Sequence, residues 1–416
     1  MGWMDLAGQV SNAFLQGMAD HLATPAPIQT PTSTTFPVRG LGKPAAKTSP
    51  EDRQAALDES ARYEALLAED RQRIAAQAAQ DRLLGLPSQA VADDDRMRAL
   101  EAQQAKFAAI DLGQGVTGPA PYMVNFKNAE ANGRRTSAEA AAIDQTVAAS
   151  KDPDLKAGHR DARVGRATPD QLSGLLGLLG ESVDFTALQG KKGRTNTYDR
   201  QMGQITSPED QTPEEAHAAQ VLTLAERGGL GVDCAGYVEQ MLIATGQVPG
   251  VLGNRAGTMT NVTGLTSAMG DHLPGNQDGA VPVDASGQLQ IQPGDMLQIE
   301  ADQHIGVVLQ ATDLGDEIIV RVGHSTTTQD VYNGDSLVGQ RPEGVREDLV
   351  AWDKQTQSWR AVRSAYSSDR INGSRQQEGL YEGFARTDRK QATSAAKFWL
   401  GSQEDPWQMP ATRTGR

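Results

Sequence analysis

Cys234 is the only cysteine in 416 residues, so no disulfide can form within the chain and folding proceeds without oxidation. Aromatic residues make up only 5% and hydrophobic residues 38%, too little for the whole length to be packed core. No run approaches the roughly 18 to 20 uninterrupted apolar residues that span a bilayer. Basic charge is scarce as well: 39 Lys and Arg against 53 Asp and Glu leave a formal charge of -14. That balance argues against non-specific binding to nucleic acid or to an acidic membrane, both of which need a basic face. The first residues lack the Lys/Arg start and apolar middle of a secretory leader, so synthesis in a bacterial cytoplasm without that signal is the expectation.

What is present divides by composition, and the length predicts two or three structural units. Residues 1–23 place Trp3, Leu6, Ala7, Val10, Phe14 and Met18 on one face of an amphipathic helix. Such a helix suits docking on a partner, lying on a membrane surface or opening a bundle; its polar face has no Lys or Arg, which favours docking or packing. Residues 24–50 hold Pro25, Pro27, Pro31, Pro37, Pro44 and Pro50 among Thr, Ser and Ala, and read as an extended linker.

Residues 51–165 read as a helical region with irregular connections. Ser49-Pro50-Glu51-Asp52 is a helix start, with a serine cap, proline in the first turn and acids beside it. The helix runs to about Leu84, with Tyr63, Leu67 and Ile74 on a narrow stripe. Gly85-Leu86-Pro87-Ser88 breaks it, and a second helix bearing Met97, Leu100 and Phe107 reaches about Ile110, completing an antiparallel hairpin. Residues 113–135 look irregular, and Thr136-Ser137-Ala138-Glu139 opens a further Ala-rich helix through a capping box.

Near residue 165 the composition changes, and residues 166–416 are expected to form an α+β unit with a C-terminal extension. Thr168-Pro169-Asp170-Gln171 starts a helix whose face carries Leu172, Leu175, Leu176, Leu178 and Leu179, and Thr212-Pro213-Glu214-Glu215 starts another that ends at Gly228. A helix beginning at Cys234 stops at Gly246, and residues 247–290 are loop-rich. From there the period becomes that of strands: Met296–Ile299, Ile305–Leu309, Ile318–Val322, Leu349–Trp352 and Ser358–Val362, the last two forming a hairpin. Helices followed by an antiparallel sheet give α+β. Phe398, Trp399 and Trp407 are expected to pack back on the core.

Chemistry centres on Cys234, where the loop Gly228-Gly229-Leu230-Gly231-Val232 turns into a helix. Unpaired N–H groups and the positive end of the helix dipole favour a thiolate there; position alone does not displace the commoner reading of a lone cysteine as an inert buried thiol. A cysteine nucleophile needs a base and a group that orients the base. Of six histidines, His21, His159, His217 and His272 read as surface or structural residues. His304 heads one probable strand and His324 closes another, so adjacent antiparallel strands would set the two imidazoles side by side, facing the helix that carries Cys234. No His/Cys/Asp cluster has metal-ligand spacing and no Gly-rich phosphate loop occurs, so cofactor independence is expected.

Gly231-Val232-Asp233-Cys234-Ala235-Gly236-Tyr237-Val238, Gln292-Pro293-Gly294-Asp295-Met296, His304-Ile305-Gly306-Val307-Val308-Leu309 and Gly323-His324-Ser325, in that order, resemble the NlpC-type family of papain-like cysteine peptidases. The match covers residues 212–335. The resemblance implies a papain-like core in which a helix bearing Cys234 packs on an antiparallel sheet. In that core Cys234 attacks an amide carbonyl, His304 is the general base and His324 orients it. It further implies a thiolate–imidazolium pair formed before substrate arrives, an oxyanion donor in the Cys234 N–H, and Asp233 as a structural cap. The implied substrate is a peptide amide of bacterial peptidoglycan. Without a secretory leader, the chain would reach the wall from a phage particle or through specialised secretion or injection machinery, engaged by the N-terminal region.

Ala235 stands where the family has serine, the tyrosine that often lies shortly ahead of the cysteine has no equivalent, since Tyr198 is too far away, and the loop from Gly246 to Leu289 and the spacing from His304 to His324 are long. Those departures keep two other readings open. One is an injected toxin acting as protease, deamidase or acyltransferase on a host protein or small amide. The other is a non-enzymatic structural component.

Overall fold

The computed structural model describes residues 49–123, 137–185, 212–246, 291–299, 304–327, 330–340, 343–356, 358–371 and 384–385. The expected helix over 1–23, most of the linker over 24–50, the loop over 247–290 and the aromatic C-terminal stretch lie outside these residues. Contacts divide the chain between Pro37 and Val38, and every described residue belongs to the second unit.

The first helix, α1 (Pro50–Leu83), begins where its sequence dictates: Ser49 Oγ accepts from the Asp52 N–H at 3.0 Å while Asp52 returns a carboxylate to the Ser49 N–H. It ends at Leu84 before Gly85, whose φ of 65° a side chain would resist. Ser88 then caps α2 (Gln89–Ala108), and Arg71 and Arg82 of α1 clamp the fully buried Asp94 of α2 at 2.5 and 2.9 Å. A small pairing of β1 (Ile110–Asp111) with β2 (Thr117–Gly118) follows. Next come α3 (Ser137–Ala149), α4 (Pro153–Arg163), α5 (Pro169–Ser182), α6 (Pro213–Gly228) and α7 (Cys234–Ala244). The Thr168/Gln171 capping box of α5 is formed, and Leu172, Leu175, Leu176 and Leu179 are buried. Helix α4 was not expected; its signal is Asp152-Pro153, with Asp152 capping the Asp154 N–H at 2.8 Å. Among the described residues no helix is long and apolar enough to cross a membrane.

The strands are β3 (Met296–Ile299), β4 (His304–Asp313), β5 (Glu317–Thr326), β6 (Asp330–Asn333), β7 (Ser336–Gln340), β8 (Gly344–Asp353), β9 (Ser358–Arg363) and β10 (Phe384–Ala385). Six of them form an antiparallel sheet in the order β10-β3-β4-β5-β8-β9, and β6 pairs with β7 as a separate hairpin between β5 and β8. The α+β class is therefore as expected, and the β8–β9 hairpin pairs Trp352 with Trp359, ring centroids 4.9 Å apart.

Alternation along the strands gives the sheet two apolar faces. Ile318, Val320, Val322, Val350, Trp352 and Trp359 gather on one with Tyr366. Ile319, Leu349, Ala351 and Val362 gather on the other, against Tyr63 and Leu67 of α1. Polar ties reinforce that second face: Gln310 Nε2 donates to the Leu67 carbonyl at 2.6 Å, Tyr63 OH to Glu317 at 2.6 Å, and Arg360 to Glu59 at 2.7 Å. The change of composition near residue 165 thus does not coincide with a break in packing. The narrow stripe of α1, which looked like a seam within a separate helical region, is the lining of the sheet.

Candidate active site

The chain enters α7 through a crossing that fixes where Cys234 sits. Val232 bridges Tyr122 on one side and Arg166 on the other, and its carbonyl accepts from Ser325 Oγ at 2.8 Å, tying this crossing to the end of β5. Gly231 is required here, because a Cβ on it would lie 2.3 Å from the Pro121 carbonyl oxygen. One turn into the helix, a Cβ on Gly236 would lie 1.8 Å from the Gly165 carbonyl oxygen. Asp233 caps the helix, its carboxylate accepting from the Gly236 N–H at 2.6 Å and from Arg166 at 2.7 Å. Cys234 is the first helical residue and is 7% exposed.

The sheet brings the two singled-out histidines together. With Val307 opposite Gly323, His304 and His324 fall on one face of neighbouring strands, and His304 Nε2 is 2.7 Å from His324 Nδ1. His324 Nε2 in turn lies 3.1 Å from Asp348 Oδ2, close in distance though not in linear hydrogen-bond alignment. Asp348 Oδ2 also accepts from Ser364 Oγ at 2.9 Å and the Ala365 N–H at 2.6 Å, and Arg346 Nε reaches Oδ1 at 3.2 Å. Burial alone would raise this carboxyl, but His324, Arg346 and the Ala365 N–H outweigh it and hold the group far below the usual carboxylate range. A nitrogen facing an ionised carboxylate carries a proton, so His324 Nδ1 is left to accept from His304 Nε2–H. The remaining nitrogen of His304, Nδ1, then has its lone pair available.

The thiol meets this face at its edge: the backbone N–H groups of Ile305, next to His304, and of Ala235 both favour its ionised form. They do not prevail. Burial, followed by the charge of Asp233, pushes the thiol up to about 12. Burial also drives His304 well below its ordinary value, with His324 adding to the effect. Burial therefore opposes both charges of the thiolate–imidazolium pair that the resemblance implies. Desolvation wins over the helix terminus.

Three further residues border the site. The Tyr366 ring lies 4.9 Å from that of His304, centroid to centroid, and its hydroxyl is 3.0 Å from Thr326 Oγ1. Tyr122, joined to Val232 by its bridge, is raised by burial and then by the charges of Cys234 and Asp233, so a tyrosine does attend the cysteine, from more than a hundred residues upstream. Asp348 was missed by the sequence reading; its signal was the charged pair Glu347-Asp348 within β8 (Gly344–Asp353). Of the set-aside histidines, His217 is buried with Nε2 2.9 Å from the Leu112 carbonyl, and His159 lies 2.8 Å from Arg163, both away from this cluster in a structural setting. His21 and His272 lie outside the described residues.

A cysteine at a helix start, a paired imidazole and an anchored carboxylate are the groups that acyl transfer requires. Comparison with protein-family models, with curated proteins and with solved structures finds no match to this chain.

Proposed function

We propose that the chain is a cysteine hydrolase that cleaves peptide amide bonds of bacterial peptidoglycan, with Cys234 as nucleophile, His304 as general base and His324 and Asp348 as its supports. The observation that carries this reading is the run His304–His324–Asp348 beside the start of the Cys234 helix. The order of motifs resembling NlpC-type peptidases supplies the substrate class.

Because burial opposes both charges, proton transfer accompanies attack in this reading. His304 Nδ1 takes the Sγ–H proton as sulfur bonds to the amide carbonyl carbon. The resulting imidazolium is stabilised through Nε2–H toward His324, whose own Nε2–H faces the negative Asp348. The Cys234 N–H, at a helix start, is the donor for the developing oxyanion. Collapse breaks the C–N bond, His304 returns its proton to the leaving amine, and a thioester remains. Water then attacks the thioester, giving its proton to His304 and releasing a carboxylic acid as the thiol re-forms. No cofactor enters this sequence.

Muropeptide analysis after digestion tests the proposal. Wild type is expected to release new amino groups and shortened fragments, and Cys234→Ala none; equal profiles from the two proteins would end the hydrolase reading.

A further inference from the structure

Beneath the helix of Cys234 lies a second group of buried charges that this mechanism does not use. Glu239, on α7, is 0% exposed, and neither of its carboxylate oxygens has a hydrogen-bond partner among the described residues. Its nearest cation is Arg166, whose Nε is 3.6 Å from Glu239 Oε2 while Nη1 of the same guanidinium donates to Asp233 at 2.7 Å. Arg166 is itself buried, and its Nη2 has no hydrogen-bond partner among the described residues. One guanidinium is therefore divided between two carboxylates, and one of these is the cap that precedes Cys234.

The charged groups acting on Glu239 are Arg166, from the segment after α4, and Asp233, from the start of its own helix; among the described residues, none on α2, β4 or β5, which also pack on α7, adds to them. Burial pushes the Glu239 carboxyl up to about 7 against the pull of Arg166. Protonated, Glu239 leaves the guanidinium to Asp233. Ionised, it competes for the guanidinium and places one more negative charge under the thiol.

We propose that Arg166 and Glu239 are a proton-linked positioning pair for Cys234, acting through the Asp233 cap: neutral Glu239 eases formation of the thiolate and ionised Glu239 opposes it. The inference rests on the reading of Cys234 as nucleophile, but its test needs no substrate. The chain has a single cysteine, so alkylation of the full-length protein by iodoacetamide reports on that thiol alone.

In wild type the alkylation rate should climb with pH, climb less steeply across neutrality as Glu239 ionises, and then recover its slope. Glu239→Gln should remove that shallow interval, match wild type at about pH 5.5 and alkylate roughly tenfold faster at about pH 8. Arg166→Lys, which keeps the charge, should retain the interval. A wild-type profile with no shallow interval, or the same interval in Glu239→Gln, overturns the proposal. The two readings fail separately. Absent hydrolysis with the interval present removes the hydrolase, whereas hydrolysis with a featureless profile removes the positioning pair.

Discussion

Two buried carboxylates, each beside an arginine, behave in opposite ways in this molecule. Asp348 lies far below the usual carboxylate range, and Glu239 is pushed up to about 7. Burial acts on both in the same direction, so burial does not distinguish them. Donors do: Asp348 receives a serine hydroxyl, a backbone N–H, Arg346 and the His324 edge, whereas Glu239 has, among the described residues, only a share of Arg166 at 3.6 Å. A nearby cation does not by itself keep a buried carboxylate ionised; filling its lone pairs does. The fixed charge lies under the base and the variable one under the nucleophile.

The largest effect is expected from removing the fixed charge without changing its shape. Asp348→Asn should lower kcat/KM on the order of 10³-fold, since His324 loses the anion that holds its tautomer and His304 loses support for its positive form; steady-state kinetics on a muropeptide substrate check this. A loss under tenfold would mean that Asp348 is only structural. Next is Arg346→Met, which strips Asp348 of its cation and should cost about 3 to 5 kcal/mol in denaturant unfolding at neutral pH.

Glu239→Gln should work the other way. Its folded value stands above the ordinary 4.5, so between those values the folded state keeps a proton that the unfolded chain has released. That stability is present below about 4.5 and lost as pH rises to about 7. The glutamine variant should therefore gain roughly 3 kcal/mol over wild type near pH 8 and nothing near pH 4. Asp348 has the opposite slope: its contribution is present above the ordinary 3.8 and is lost on acidification. The smallest effect belongs to Ser364→Ala, which takes one donor from Asp348 and should cost about 1.5 kcal/mol at neutral pH by chemical denaturation. No loss at all would weaken the claim that donors separate the two carboxylates.

Much of this was readable along the chain wherever the deciding interactions are local. The Ser49 and Thr168 caps act over three residues, and the β-branched runs that became β4, β5 and β8 carry their own period. Cys234 and His304 were nameable because each begins an element, and His324 because it follows the β-branched run Ile318–Val322. Arg166, Glu239 and Tyr122 gave no such sign, and Asp348 only that of a charged pair within a strand, since each acts through a partner distant in sequence or on a neighbouring element. Arg166 and Asp233, for instance, are 67 positions apart. That packing crosses the expected boundary near residue 165 was hidden for a related reason. Tyr63 and Leu67 make a sparse stripe on their own helix and become core only against Ile319, Leu349 and Val362.

That lining decides how the chain can be shortened. A fragment beginning at residue 166 would shed Tyr63, Leu67, Tyr122 and Gln104, the last being the hydrogen-bond partner of the Tyr237 hydroxyl on the Cys234 helix. It would expose Ile319, Leu349, Ala351 and Val362, which Tyr63 and Leu67 cover, and should be recovered as aggregate. A fragment beginning at Ser49 keeps the helix cap, Tyr63 and Leu67 against the sheet and every group described around Cys234. The hairpin that reads as an appendage therefore belongs in any fragment meant to keep the sheet covered.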